Sequence, residues 1–181
     1  MRKIDETLPT GEAATLLYLG SGGSSYILYY LHKLRRGTAT EDDRRAYEAM
    51  LPTNSIRLAD LVAAVVPDAD ALIMIPSSRD DAKPYFQKIL GRLKSPADLS
   101  AAMTRAGKVK EADAETTIEK IAADMSYRPT GGESEIKSLI IVDETYGTGK
   151  SVAATLKVLR ENGLQHGDKC KITIAVALRV K

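Results

Sequence analysis

The sequence predicts an α/β fold, a parallel sheet flanked by helices with a helical N-terminal cover, and two observations carry that expectation. First, Ala71-Leu72-Ile73-Met74-Ile75 and Leu139-Ile140-Ile141-Val142 are continuous apolar runs bounded by turn residues. Strands buried on both faces of a parallel sheet have this appearance. Second, the run at 139–142 is followed by a loop, a helical stretch at 152–161 closed by Asn162-Gly163, and an Ile- and Val-rich run at 172–178. That succession is a βαβ unit, whose two strands must lie parallel.

The other elements fall around these. Residues 14–19, Ala-Thr-Leu-Leu-Tyr-Leu, read as a short buried strand, 20–25 as a Gly- and Ser-rich loop, and 26–35 as a helix crowded with apolar and aromatic side chains. Residues 41–50 form a charged helix that Pro52-Thr53-Asn54 breaks, and 57–66 a second helix ended by Pro67-Asp68. The strand at 71–75 exits through 76–81 into a helix at 84–93. From Lys94 to Arg128 the chain is polar and helical in tone, and Pro129-Thr130-Gly131-Gly132 is a loop. No linker divides the chain, so residues 1–181 are read as a single domain.

Composition narrows the class. With 44% hydrophobic and 28% charged residues the chain is globular rather than disordered, and a net charge of +2 argues for neither nucleic acid nor membrane. Cys170 stands alone, which excludes an internal disulfide and fits a reducing cytoplasm. His32 and His166 with one cysteine give no zinc spacing. No apolar run approaches the roughly 20 residues that span a bilayer, and the charged Met1-Arg2-Lys3-Ile4-Asp5-Glu6 does not lead into a signal-peptide core. The expected location is cytoplasmic.

The chemistry concentrates after the strand at 139–142. Asp143 and Glu144 stand at its C-terminal end, where open α/β sheets bind ligands. Thr145, Tyr146, Gly147, Thr148, Gly149, Lys150 and Ser151 lead into a helix. Backbone N–H groups at a helix N-terminus attract anions, glycine lets them approach, and the hydroxyls of Thr145, Thr148 and Ser151 add donors. The acids suit a diol or a hydrated Mg²⁺. The loop therefore fits a ligand with a phosphate at one end and a ribose at the other.

This segment resembles the motif by which type I phosphoribosyltransferases bind 5-phosphoribosyl-1-pyrophosphate (PRPP): four apolar residues, two acids, a small or hydroxyl-bearing stretch, then Thr-Gly-x-Ser/Thr. The resemblance implies that Asp143 and Glu144 hold the ribose, directly or through ligand and water at Mg²⁺, while Thr145, Tyr146, Gly147, Thr148, Gly149, Lys150 and Ser151 surround the 5-phosphate. A Walker A loop is the competitor, because Gly149-Lys150-Ser151 ends like one. Its first glycine would fall at position 144, where Glu144 stands instead.

The family also carries a pyrophosphate loop after an earlier strand. Pro76-Ser77-Ser78-Arg79 follows the strand at 71–75, and with Phe86-Gln87 beyond it is similar to the competence-associated branch. On this likeness Ser77, Ser78 and Arg79 take the diphosphate, Arg79 through its planar fork of donors. Residues 20–25 are a rival phosphate loop without the third glycine of the dinucleotide fingerprint. Arg105, Lys108 and Lys110 fall where the family often has a mobile loop, sometimes supplied by a neighbouring subunit, so the resemblance admits an oligomer, at its simplest a homodimer. The purine-salvage branch carries an aspartate as proton acceptor where Gly147 stands, which argues against a hypoxanthine or guanine acceptor. Residues 1–68 would then cover the acceptor side. The expected function is Mg²⁺-assisted transfer of a 5-phosphoribosyl group to an unidentified nucleophile with release of pyrophosphate. The alternative is a regulator that senses PRPP or a nucleotide on the same fold, a choice that fold alone does not settle.

Overall fold

The computed structural model describes residues 2–21, 26–76, 81–107, 109 and 115–180. Its centre is a mixed, mostly parallel sheet of six strands in the order β1-β2-β8-β7-β3-β4. Strands β2 (Ala13–Ser21), β8 (Lys171–Arg179), β7 (Ser138–Tyr146), β3 (Ala71–Met74) and β4 (Ala97–Asp98) run parallel, and β1 (Arg2–Thr7) pairs antiparallel with β2. The alternating side chains of a strand point to opposite faces, and each face has its own core. Leu17, Leu72, Ile140, Val142 and Ala175 pack beneath α1 (Tyr26–Arg36), α2 (Glu41–Val65) and α3 (Lys83–Leu90). Leu16, Ile73, Leu139, Ile141 and Ile174 pack beneath α4 (Ile118–Ala123) and α5 (Lys150–Glu161). This α/β arrangement is the one the two apolar runs and the βαβ unit predict.

Three expectations are corrected. The helices at 41–50 and 57–66 are one helix, α2, which runs through Pro52. Proline there removes a backbone donor, but the polar residues that follow it make local bonds of their own. Asn54 Nδ2 donates to Met50 O at 3.0 Å and Ser55 Oγ to Leu51 O at 2.6 Å. The Thr40–Asp43 capping box fixes the start, and burial of Tyr47, Leu58, Ala59 and Val62 holds the rest against the sheet. Second, the described residues of 94–128 are not predominantly helical. They contain β4, a 3₁₀ turn at Ser100–Ala102, the antiparallel pair β5 (Met103–Arg105) and β6 (Met125–Tyr127), and the short helix α4. Third, the strand expected at 14–19 is present as β2, but residues 2–7 form a further strand, β1, that was not expected, so the N-terminal region is sheet before it is helix. Among the described residues no helix is long and apolar enough to cross a membrane.

Candidate functional site

The C-terminal edge of the parallel strands gathers the predicted loop and a set of charges that the sequence does not announce. Asp143 and Glu144 are adjacent near the end of β7, so strand geometry sends them to opposite faces. Asp143 continues the row of Leu139 and Ile141 and stays half-buried, its carboxylate accepting from the Glu144 N–H at 2.7 Å. Glu144 continues the row of Ile140 and Val142 under the helical cover and is 1% exposed. The two acids do not present a common surface to one ligand in this arrangement, contrary to the expected joint hold on a ribose.

Glu144 is instead the centre of a buried network. Tyr47 on α2 donates its hydroxyl to Oε1 at 2.5 Å, and Arg35 on α1 donates to Oε2 at 2.8 Å. Arg35 also stands 3.6 Å from Asp81, just before α3. Burial pushes the Glu144 carboxyl up to about 7, helped by the Asp81 charge and resisted by Tyr47 and Arg35. Tyr85 on α3 is fully buried, and among the described residues its hydroxyl has no hydrogen-bond partner. Burial, then the Glu144 charge, raises the Tyr85 phenol, and the same two causes raise that of Tyr47. Arg35, Tyr47, Asp81 and Tyr85 carry no motif. They lie on separate elements, 109 and 97 residues from Glu144 in the cases of Arg35 and Tyr47, and no local spacing could have singled them out.

The loop beyond Glu144 divides into exposed and structural positions. Gly147 and Thr148 are exposed, while Thr145 and Ser151 are half-buried. Tyr146 is 4% exposed and packs into the core. Its hydroxyl would lie 2.7 Å from a Cβ on Gly149, whose φ is +74°, so glycine is required there on two counts. Gly149 begins α5, and no side chain caps that helix end or places an acid in its first turn. The Lys150 side chain turns away and donates to Thr116 O at 2.8 Å, which ties the loop to the segment before α4. A group with no capping side chain at a helix N-terminus is the arrangement that receives anions.

The remaining predicted residues fare differently. Ser77, Ser78 and Arg79 lie outside the described residues, as do residues 22–25, Lys108 and Lys110. Arg105 is bound up in the fold: it pairs with buried Asp124 at 3.1 Å and donates to Val109 O at 2.9 Å. That pairing gives it a structural role rather than one in a closing loop. Among the described residues no group of three or more His, Cys, Asp or Glu is placed to hold a metal ion. A cavity of about 800 Å³, lined by Asp5, Thr15, Val66, Ser138, Asp168 and Thr173, opens at the N-terminal edge of the strands, away from this chemistry.

No family model and no curated protein matches the sequence. Among solved structures the chain is similar to the Helicobacter pylori xanthine-guanine-hypoxanthine phosphoribosyltransferase, with 17% identity and a TM-score of 0.41 over 74% of this chain and 88% of that chain.

Proposed function

We propose that this protein binds PRPP at the C-terminal edge of its parallel sheet and transfers the 5-phosphoribosyl group to a nucleophilic acceptor. The observation that supports this most is the start of α5: Gly149 in a left-handed conformation and no capping side chain, six residues after the strand-end acid Asp143. On this reading the 5-phosphate lies against the backbone of Gly147, Thr148, Gly149 and Lys150, with hydroxyls from Thr145, Thr148 and Ser151. Tyr146 buttresses the turn from the core, and Asp143 takes the ribose diol. Glu144, held by Tyr47 and Arg35, supports the site from beneath the helical cover. Ser77, Ser78 and Arg79 take the diphosphate.

The donor set suits a hydrated Mg²⁺, which Asp143 would help to hold beside the diphosphate, because Mg²⁺ keeps much of its hydration in phosphate sites. It does not suit a cage built by protein alone, since among the described residues no group of three or more His, Cys, Asp or Glu comes together. When bound, Mg²⁺ neutralises charge on the leaving diphosphate. The chain's own residues hold and orient the ligand, which is the larger part of catalysis when the C1–diphosphate bond breaks as the new C1–nucleophile bond forms. The setting is the cytoplasm, with a homodimer as the simplest assembly.

A second reading keeps the PRPP site without turnover, as a sensor. Two observations favour it: Gly147 supplies no proton acceptor for a base, and Glu144 is turned into the protein. Incubation with PRPP, Mg²⁺ and a panel of bases separates the two. Transfer predicts acceptor-dependent release of pyrophosphate. Tight PRPP binding with no release for any acceptor assigns the sensor.

A further inference from the structure

The turn between β1 and β2, residues 8–12, reaches α5 near both ends of that helix. Two backbone bonds close the turn, Leu8 N–H to Glu12 O at 2.9 Å and Gly11 N–H to Leu8 O at 2.8 Å. Leu8 is buried in the same core as Tyr146, Val152 and Leu156. In the last turn of α5, Arg160 donates to Glu12. At the start of the helix the Pro9 ring stands against Gly149, where a Cβ would lie 3.3 Å from Pro9 Cδ and 2.7 Å from the Tyr146 hydroxyl. Gly149 and Arg160 are roughly 16 Å apart along the helix axis. Between these two contacts opens a cavity of about 630 Å³, lined by Thr10, Gly11, Ala153, Leu156 and Lys157.

We propose that residues 8–12 form a strap that positions the phosphate-binding turn, with Pro9 as the positioning residue and the Glu12–Arg160 pair as its anchor. This rests on the PRPP reading above, in which the turn at 147–150 receives the 5-phosphate. Gly149 is held at φ +74°, and the space where its side chain would stand is filled by the Tyr146 hydroxyl and the Pro9 ring. A turn enclosed in this way keeps its backbone N–H groups aimed before the ligand arrives, and such preorganisation raises affinity. The anchor is a poor source of stability. The Arg160 side chain is 5% exposed, and among the described residues its Nε and Nη1 have no hydrogen-bond partner. A buried cation satisfied on one nitrogen adds little net stability. What the pair does is fix Glu12, and through the closed turn Pro9, against α5.

The test is calorimetric titration of the full chain with ribose 5-phosphate and, separately, with PRPP and Mg²⁺, well below the melting temperature of each variant. Pro9→Gly and Arg160→Met are each expected to weaken both probes by ~10-fold, as a turn that the ligand must itself order. Arg160→Lys should recover most of the loss, because a single Arg160 nitrogen makes the contact. Val62→Ala is the control for a merely structural effect. It truncates a fully buried side chain of α2 on the opposite face of the sheet, so it should lower the melting temperature and leave both affinities within about twofold. Unchanged affinity in Pro9→Gly or in Arg160→Met, or an equal loss in Val62→Ala, overturns the inference. If either strap variant does not fold, Pro9→Ala or Glu12→Gln is read in its place by the same criteria. A wild-type chain that binds neither probe removes the underlying reading and this inference with it. A wild-type chain that binds them no better than the strap variants do removes this inference alone.

Discussion

Two buried glutamates, Glu133 in the turn before strand β7 and Glu144 near its far end, live in opposite electrostatic worlds. Glu133, in the turn before the strand, is 4% exposed and accepts from Thr130 N at 2.5 Å, Tyr127 O–H at 2.7 Å, Thr130 O–H at 2.8 Å and Gly131 N at 3.0 Å. Burial alone would raise its carboxyl, but the donors from Thr130 and Tyr127 outweigh it and bring it down to about 2. Glu144, near the strand's other end, is 1% exposed, has two donors, and feels the charge of Asp81, so burial prevails and the carboxyl rises to about 7. Glu144 lies deeper among protein atoms and has fewer donors, and both differences push its carboxyl up relative to that of Glu133. Glu133 is satisfied and organises a turn. Glu144 is under-satisfied, beside a buried hydroxyl of Tyr85 that lacks a described partner, and groups perturbed in this way concentrate at functional sites.

The comparison breaks most visibly on removing the charge at each place. Glu133→Gln forfeits charge-assisted bonds and should cost about 1.5–3 kcal/mol. For a chain of this size that is a fall in melting temperature of about 3–12 °C. Glu144→Gln should cost clearly less, because its charge is poorly compensated to begin with. A calorimetric scan that ranks the two the other way would reverse the assignment of structural and functional roles. Gly149→Ala comes next. A non-glycine residue held at φ +74° costs about 1–3 kcal/mol, and the new Cβ also meets the Tyr146 hydroxyl. Urea unfolding should show the loss, and phosphate titration should show weaker binding at the same turn.

Acid titration sharpens the contrast. Because the folded-state carboxyl of Glu133 is depressed, its contribution is fully present above the ordinary glutamate range and is lost as pH falls toward about 2. Wild type should therefore lose stability more steeply than Glu133→Gln over that interval, and parallel pH curves for the two would contradict the network. The smallest stability effect belongs to Asp143→Asn, a half-buried side chain near the end of β7. It should shift unfolding by less than about 1.5 kcal/mol, since the amide keeps an oxygen for the Glu144 N–H, yet weaken PRPP by about tenfold or more through loss of a charge-assisted contact. Unchanged PRPP affinity in the folded variant would remove Asp143 from the site.

Where the sequence carried physical punctuation, the fold was legible. The unit β7–α5–β8 follows from an apolar run, a glycine-bearing turn and an Asn-Gly stop, all local signals. Strand β1 escaped notice because its charges sit on an exposed edge, where they blunt unwanted pairing and erase the apolar pattern. The break expected at Pro52 failed because tertiary burial on both sides of it outweighed a local preference. Strands β4, β5 and β6 are two or three residues long, too short to show a period. The site divided along the same line. Asp143 and the turn at 145–151 stood out as a contiguous pattern, whereas the partners of Glu144 come together only through helix packing.

The most direct test of the account is thermal denaturation with PRPP and Mg²⁺ against ATP and Mg²⁺ at matched saturating concentrations. A ligand that binds only the folded chain, at about a hundred times its dissociation constant, adds about 2.7 kcal/mol, a rise of roughly 5–11 °C for a domain of this size. PRPP carries a monophosphate on C5 and a diphosphate on C1, so it can span both strand exits, whereas ATP has its whole phosphate chain on C5. The account predicts a shift in that range with PRPP and a smaller one with ATP. A larger shift with ATP would contradict it and favour the Walker-type reading of Gly149-Lys150-Ser151.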